Sequence, residues 1–214
     1  MKKIALLFLL SMLCAAASAS DAPAAPSATL DPAKAIEELK KVGGKLKFDE
    51  KVPGKPLIAA DLGDIDIKDD ALANLDALPM LKSLSLRHGY KVTAAGLDHL
   101  KGLTKLETLD IWDVKAGLHD QEFAKLVKEL PQLVSLNVGG CPITDAALAA
   151  LEGNQNLQTL VLTYTNVTDA GLLHLKGLTN LKKLALPSAA AWVKISEDGV
   201  KKLQEALPNC KISR

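Results

Sequence analysis

Leucines recur along this chain at the first, fourth and sixth places of a unit about 24 residues long, with polar or small residues between them. The clearest copy runs from Leu157 to Asn180, where Leu157, Leu160 and Leu162 are followed by Thr165 and Val167. Leu160 and Leu162 predict a short strand with both side chains toward a core. Thr159, Val161 and Thr163 then face away, because side chains alternate along a strand. Thr168 predicts a helix N-cap, its hydroxyl accepting from an otherwise unpaired amide. Asp169 places negative charge in the first turn, where the helix dipole favours it. Leu172 and Leu175, three residues apart, return to the core. A short strand and a short helix cannot cover their own apolar face, so each unit needs neighbours.

Copies begin at Leu57, Leu81, Leu106, Leu133, Leu157 and Leu181, separated by 24, 25, 27, 24 and 24 residues. A truncated seventh starts at Leu207, with Cys210 and Ile212 in place of two strand leucines. Ahead of the first copy, Asp31 is a cap with Pro32 at the first helical position. Ile36, Leu39 and Val42 share a helical face that ends at Gly43-Gly44. Leu46 and Phe48 then alternate with lysines before a Pro53-Gly54 turn. Residues 32–56 therefore read as a capping helix plus strand, 57–206 as six repeats and 207–214 as a closing cap.

These motifs resemble the leucine-rich repeat family. The Thr-Asp-Ala-Gly-Leu continuation at 168–172, with Thr165 and Cys141 at the family's Asn/Cys position, is similar to the short bacterial, cysteine-containing or ribonuclease-inhibitor-like class. The resemblance implies an α/β, right-handed solenoid with a parallel sheet on the concave face and short helices on the convex face. It further implies a scaffold that binds a protein or peptide partner.

Departures from the pattern cluster on one edge, where strands leave toward their helices. Gly89-Tyr90 lies in a one-residue insertion, and about two extra residues fall near Lys115–Gly117. The third unit has His119 where a capping Thr is expected, and the sixth carries a longer segment, Pro187–Lys194.

The N-terminus adds a location. Lys2 and Lys3 precede an apolar run from Ile4 to Leu13 and then small residues, the pattern of a secretory signal over 1–19 cleaved after Ala19 or Ala17. Leu13 is too large for the small residue expected before a lipidated cysteine at Cys14. Residues 20–31 are Ala/Pro/Ser-rich and read as a flexible linker. The expectation is an exported protein, periplasmic or extracellular, monomeric and without a membrane span after cleavage. The mature chain carries 24 basic against 25 acidic residues, which gives no field suited to nucleic acid. Cys141 and Cys210 lie three strands apart in this register, about 14 Å at ~4.8 Å per strand. A disulfide needs Cα atoms within about 7 Å, so both read as small core residues.

Candidate chemistry is sparse. The third, fifth, seventh and eighth places of each unit face outward and include Asp61, Asp64, Arg87, Asp110 and Asp113. Calcium wants six to eight oxygens at about 2.4 Å, and Asp61 and Asp110 sit two strands apart. His99 and His174 hold equivalent helix positions three repeats apart, so they cannot share a metal. No Ser or Cys has a base and an orienting group in register, and no phosphate loop follows a strand. The expectation is no catalytic, cofactor-binding or metal residue and no enzymatic activity. Tyr90, Trp112, Tyr164 and Trp192 all fall at strand ends or in the turns just after them. Amphipathic rings suit a contact surface, so the candidate partner-binding set is Trp112, Tyr164, Tyr90, Trp192, Asp110, Asp113, Arg87 and His88, with Trp112 projecting outward. Two alternatives stand beside it: rings that merely cover inserted loops, and a structural envelope component with no specific ligand.

Overall fold

The computed structural model describes residues 31–188 and 195–214. Eight strands form one sheet in chain order: β1 (Lys45–Phe48), β2 (Leu57–Asp61), β3 (Ser83–Ser85), β4 (Thr108–Asp110), β5 (Ser135–Asn137), β6 (Thr159–Val161), β7 (Lys183–Ala185) and β8 (Lys211–Ser213). β1 is antiparallel to β2, and each later strand pairs parallel to the one before it. The central residues Ala60, Leu84, Leu109, Leu136, Leu160, Leu184 and Ile212 stand in one row across the sheet. All of that row except Ile212 is fully buried, as is the following row of Leu62, Leu86, Ile111, Val138, Leu162 and Leu186. The expected register of inward leucines is what the sheet shows.

Helices cover the opposite face: α1 (Pro32–Lys41), α2 (Asp69–Leu72), α3 (Ala94–Leu97), α4 (Asp120–Glu129), α5 (Asp145–Leu148), α6 (Asp169–Leu175) and α7 (Glu197–Ala206). α1 starts where Asp31 accepts from the Ala33 amide at 3.1 Å, with Pro32 already holding a helical φ. It buries Ala35 and Leu39 against the open end of the first repeat. Phe123 of α4 is fully buried, whereas Phe48 packs on the core only in part.

A ladder between repeats fixes where the helices begin. The carboxylate of Asp69 accepts from both the amide and the hydroxyl of Thr93, at 2.8 and 2.6 Å. Asp120 does the same for Thr144, Asp145 for Thr168 and Asp169 for Ser196. The capped helix therefore starts where the preceding repeat's carboxylate holds it. Gly171 exists for this reason: a Cβ there would lie 2.3 Å from Asp145 Oδ1. One joint lacks the ladder. Ala94 replaces the aspartate and His119 the threonine, and the His119 amide is held instead by Glu122 Oε2 at 3.2 Å.

The last unit differs from its expected register. Only Ile212 falls in the strand row, opposite Leu184, while Cys210 sits just ahead of β8. The unit is one residue short: Leu207 precedes Ile212 by five residues, whereas Leu178 precedes Leu184 by six. The Gln204 amide closes this end by donating to the carbonyls of Leu207 and Cys210. Cys141 and Cys210 are both free and buried. Cys141 Sγ donates to the Ile111 carbonyl at 3.3 Å, and burial pushes its thiol up to about 11.

Candidate partner-binding surface

The strands end in a recurrent turn. The fifth-place side chains Asp61, Asp110 and Asn137 each accept from the amide two residues on, at 3.1 Å. This is an Asx turn, so two of the four outward aspartates serve the backbone first. The chain then passes through the left-handed region at the eighth place, with φ of 59° at Asp64, 55° at His88, 62° at Asp113, 73° at Gly140 and 58° at Tyr164. That conformation swings the seventh- and eighth-place side chains across the face of the sheet at its exit edge.

Four of the candidate residues meet there. The Arg87 guanidinium lies 5.4 Å from the centre of the Trp112 ring and bonds Asp110 Oδ2 at 3.3 Å. On its far side Trp112 meets Tyr164 edge-on, with ring centres 5.8 Å apart. Trp112 and Tyr164 belong to the third and fifth repeats, and the fourth carries Gly139-Gly140 between them. A Cβ on Gly139 would lie 2.5 Å from the Trp112 ring, and one on Gly140 would lie 2.8 Å from Asp113 Oδ1. The two glycines thus form a slot into which Trp112 and Asp113 lean. Trp112 does not project freely outward as the sequence suggests; it lies across the next repeat, half-buried. Beneath it the Thr163 hydroxyl is buried without a hydrogen-bond partner. Tyr164, by contrast, is 72% exposed.

A second group lies toward the N-terminal end. His88 Nδ1 pairs with Asp64 at 2.6 Å, and its ring stacks on Tyr90 at 5.8 Å. The bond to His88 holds the Asp64 carboxyl below its ordinary range. Asp113 is engaged by Lys115 at 2.8 Å, so the acidic face is partly neutralised residue by residue. Trp192 lies outside the described residues.

Two of the remaining histidines pair with carboxylates of the preceding repeat on the helical side, His99 with Asp76 and His174 with Glu152, whereas His119 faces Glu122 of its own helix. Among the described residues no group of three or more His, Cys, Asp or Glu is arranged to hold a metal ion, and no helix is long and apolar enough to cross a membrane. Sequence reasoning missed the glycine slot and the aspartate ladder. The signal for the ladder was present, since an aspartate opens the helix in most repeats.

Comparison with known proteins agrees with the geometry. A profile described as "Leucine Rich repeat" matches residues 130–151 and 153–175. No curated protein matches the chain in sequence. Among solved structures, an internalin from Listeria monocytogenes is similar at 23% identity and a TM-score of 0.53, over 73% of this chain and 47% of that one. Rad7, from the Rad7 and Elc1 complex in yeast, is similar at 20% identity and a TM-score of 0.52, over 68% of this chain and 39% of the relative. This chain thus matches less than half the length of either, and at such identity the likeness speaks for the fold. With the parallel sheet, the leucine rows and the repeat profile in agreement, the described residues have the fold of a leucine-rich repeat solenoid.

Proposed function

We propose that this protein is a non-catalytic recognition module, exported from the cytoplasm, that binds a protein or peptide partner through the exit edge of its sheet around Tyr164 and Trp112. The observation that carries the reading is Tyr164 itself. A bulky residue at φ 58° costs roughly 1–2 kcal/mol relative to ordinary backbone, and Gly140 occupies the same place one repeat earlier without that cost. Strain of this kind marks a position held for something other than stability. Here it displays an exposed ring beside an Arg–Trp pair, the residue types enriched at interface anchors. Solved relatives that share the fold include one crystallised in a protein complex, which supports the class of function. Export rests on the apolar stretch behind Lys2 and Lys3, and the mature protein should begin at Ser20 or Ser18.

The test is capture of partners from envelope or culture extract by the purified protein and its Tyr164→Gly variant. Glycine relieves the strain while removing the ring. The reading expects stability retained and capture of a saturable partner weakened about thirtyfold or more, the size of an anchor loss. Equal capture by both proteins, or no saturable partner at any salt, would leave a structural envelope role as the better account.

A further inference from the structure

We propose that the apolar groove at the N-terminal end of the solenoid is filled by Leu30 of this same chain, which pins the upstream segment to the capping helix. The assignment stands apart from the recognition reading. The groove holds about 330 Å³ between the first turn of α1 and the turns ahead of β2 and β3. Pro32, Ile36, Pro56, Leu78, Pro79 and Met80 line it. Its one charged lining residue, Lys55, is paired with Glu50 at 2.5 Å. A groove so lined takes an apolar group, since a polar one would lose its water without gaining a partner. Met80 is left 45% exposed at the wall, and Ile36 is only partly buried.

The place where the described chain begins decides the occupant. Asp31 caps α1 with extended backbone, at φ −61° and ψ 123°, and the next residue, Pro32, already lines the groove. Two residues of chain reach at most about 7 Å, so Leu30 starts at the groove's mouth. It is the one large apolar side chain between residues 20 and 30, the others being Ser, Asp, Ala, Pro and Thr. The residue ahead of an N-cap often packs on the fourth helical residue, a contact that fixes how the chain enters. Here that fourth residue is Ala35, small and fully buried, which leaves its neighbour Ile36 to complete the contact. A tethered leucine has only its own few residues to order, whereas a second copy would also lose the freedom of a whole molecule. The groove lies where strands begin, and Trp112 and Tyr164 lie where they end. A segment held here leaves the exit edge open to a partner.

Met80 is the one methionine after Met12, so methyl-labelled methionine in the processed chain starting at Ser20 gives a single reporter in the groove. Nuclear Overhauser contacts are expected between the Met80 methyl and the Leu30 methyls. In Leu30→Ser the Met80 methyl should move toward the position of free methionine, and in Leu30→Ile it should stay. The contact is read in the unaltered protein, so the test stands should Leu30→Ser not fold. Absence of the contact, or a Met80 signal unchanged in Leu30→Ser, overturns the assignment. A Met80 signal that depends on protein concentration gives the groove to a second copy and overturns it as well. None of these outcomes touches the recognition reading, which the Tyr164→Gly capture experiment decides.

Discussion

The ring of Trp112 rests on the bare backbone of Gly139, so closely that a methyl group at residue 139 would lie 2.5 Å from ring carbons Cε3 and Cζ3. Gly139→Ala must therefore lift the indole or shift the strand end. The cost of such overpacking is about 1–3 kcal/mol, read as a lower urea midpoint. In a Trp192→Phe background, Trp112 emission should move toward that of solvated indole. Unchanged emission and midpoint would show that the indole does not occupy the slot. The same contact gives Trp112→Ala a stability cost of its own, so a binding defect in that variant has to be read against its unfolding curve.

Asp145 and Thr168 set up a second test. The carboxylate takes the Thr168 amide at 2.7 Å and its hydroxyl at 2.6 Å, and no other acceptor replaces it in Asp145→Ala. Leaving the amide unpaired costs about 1–3 kcal/mol. The exposed neighbour of an equivalent helix start, Asp70→Ala, should stay within about 0.5 kcal/mol. Equal effects in urea titration would remove the ladder as a source of stability.

How much of this was legible beforehand follows from which interactions are periodic. The inward leucines recur at fixed spacing, so Leu160 and Leu162 could be placed in the core from the sequence, and the strands followed. Thr168 is equally readable as a cap, but local spacing shows Asp169 only as a charge on the helix dipole. Its bonds to Ser196 reach 27 residues ahead, and no local rule anticipates a side chain serving the next repeat. The aromatic edge was legible as a location, since Trp112 and Tyr164 fall at the same strand ends. That Trp112 lies down while Tyr164 stands exposed depends on Gly139, a residue of the repeat between them. The short last unit hid the place of Cys210 because a single missing residue shifts every later assignment.

Cys141 offers a check on burial that needs no mutation. Its thiol is raised to about 11, chiefly by desolvation, and 1% of the residue is exposed. At pH 8 almost no thiolate is present and no reagent can approach. Native protein should label at neither Cys141 nor Cys210 on the timescale of free-thiol reaction, and at both in denaturant. Migration should be the same with and without reductant. Rapid native labelling of Cys141 would place it outside the core.

Asp64 carries the pH prediction. Its carboxyl is held below its ordinary 3.8, first by the hydrogen bond to His88 and further by the charges of His88, Arg87 and Lys45. A group whose pKa is lower in the folded state stabilises the fold above its unfolded pKa and loses that contribution as pH falls through the folded value. The effect therefore belongs below about pH 4, not near neutrality, and solvent screening keeps it small at so exposed a site. The clean observable is the titration of the Asp64 carboxyl carbon by NMR. His88→Ala removes the leading cause, so the Asp64 midpoint should rise toward the ordinary carboxylate value, while Asp98, held low chiefly by Lys125, should not move. If Asp64 titrates alike in both proteins, the 2.6 Å contact with His88 does not persist in solution, and the ring of Tyr90 would lose its stacking partner.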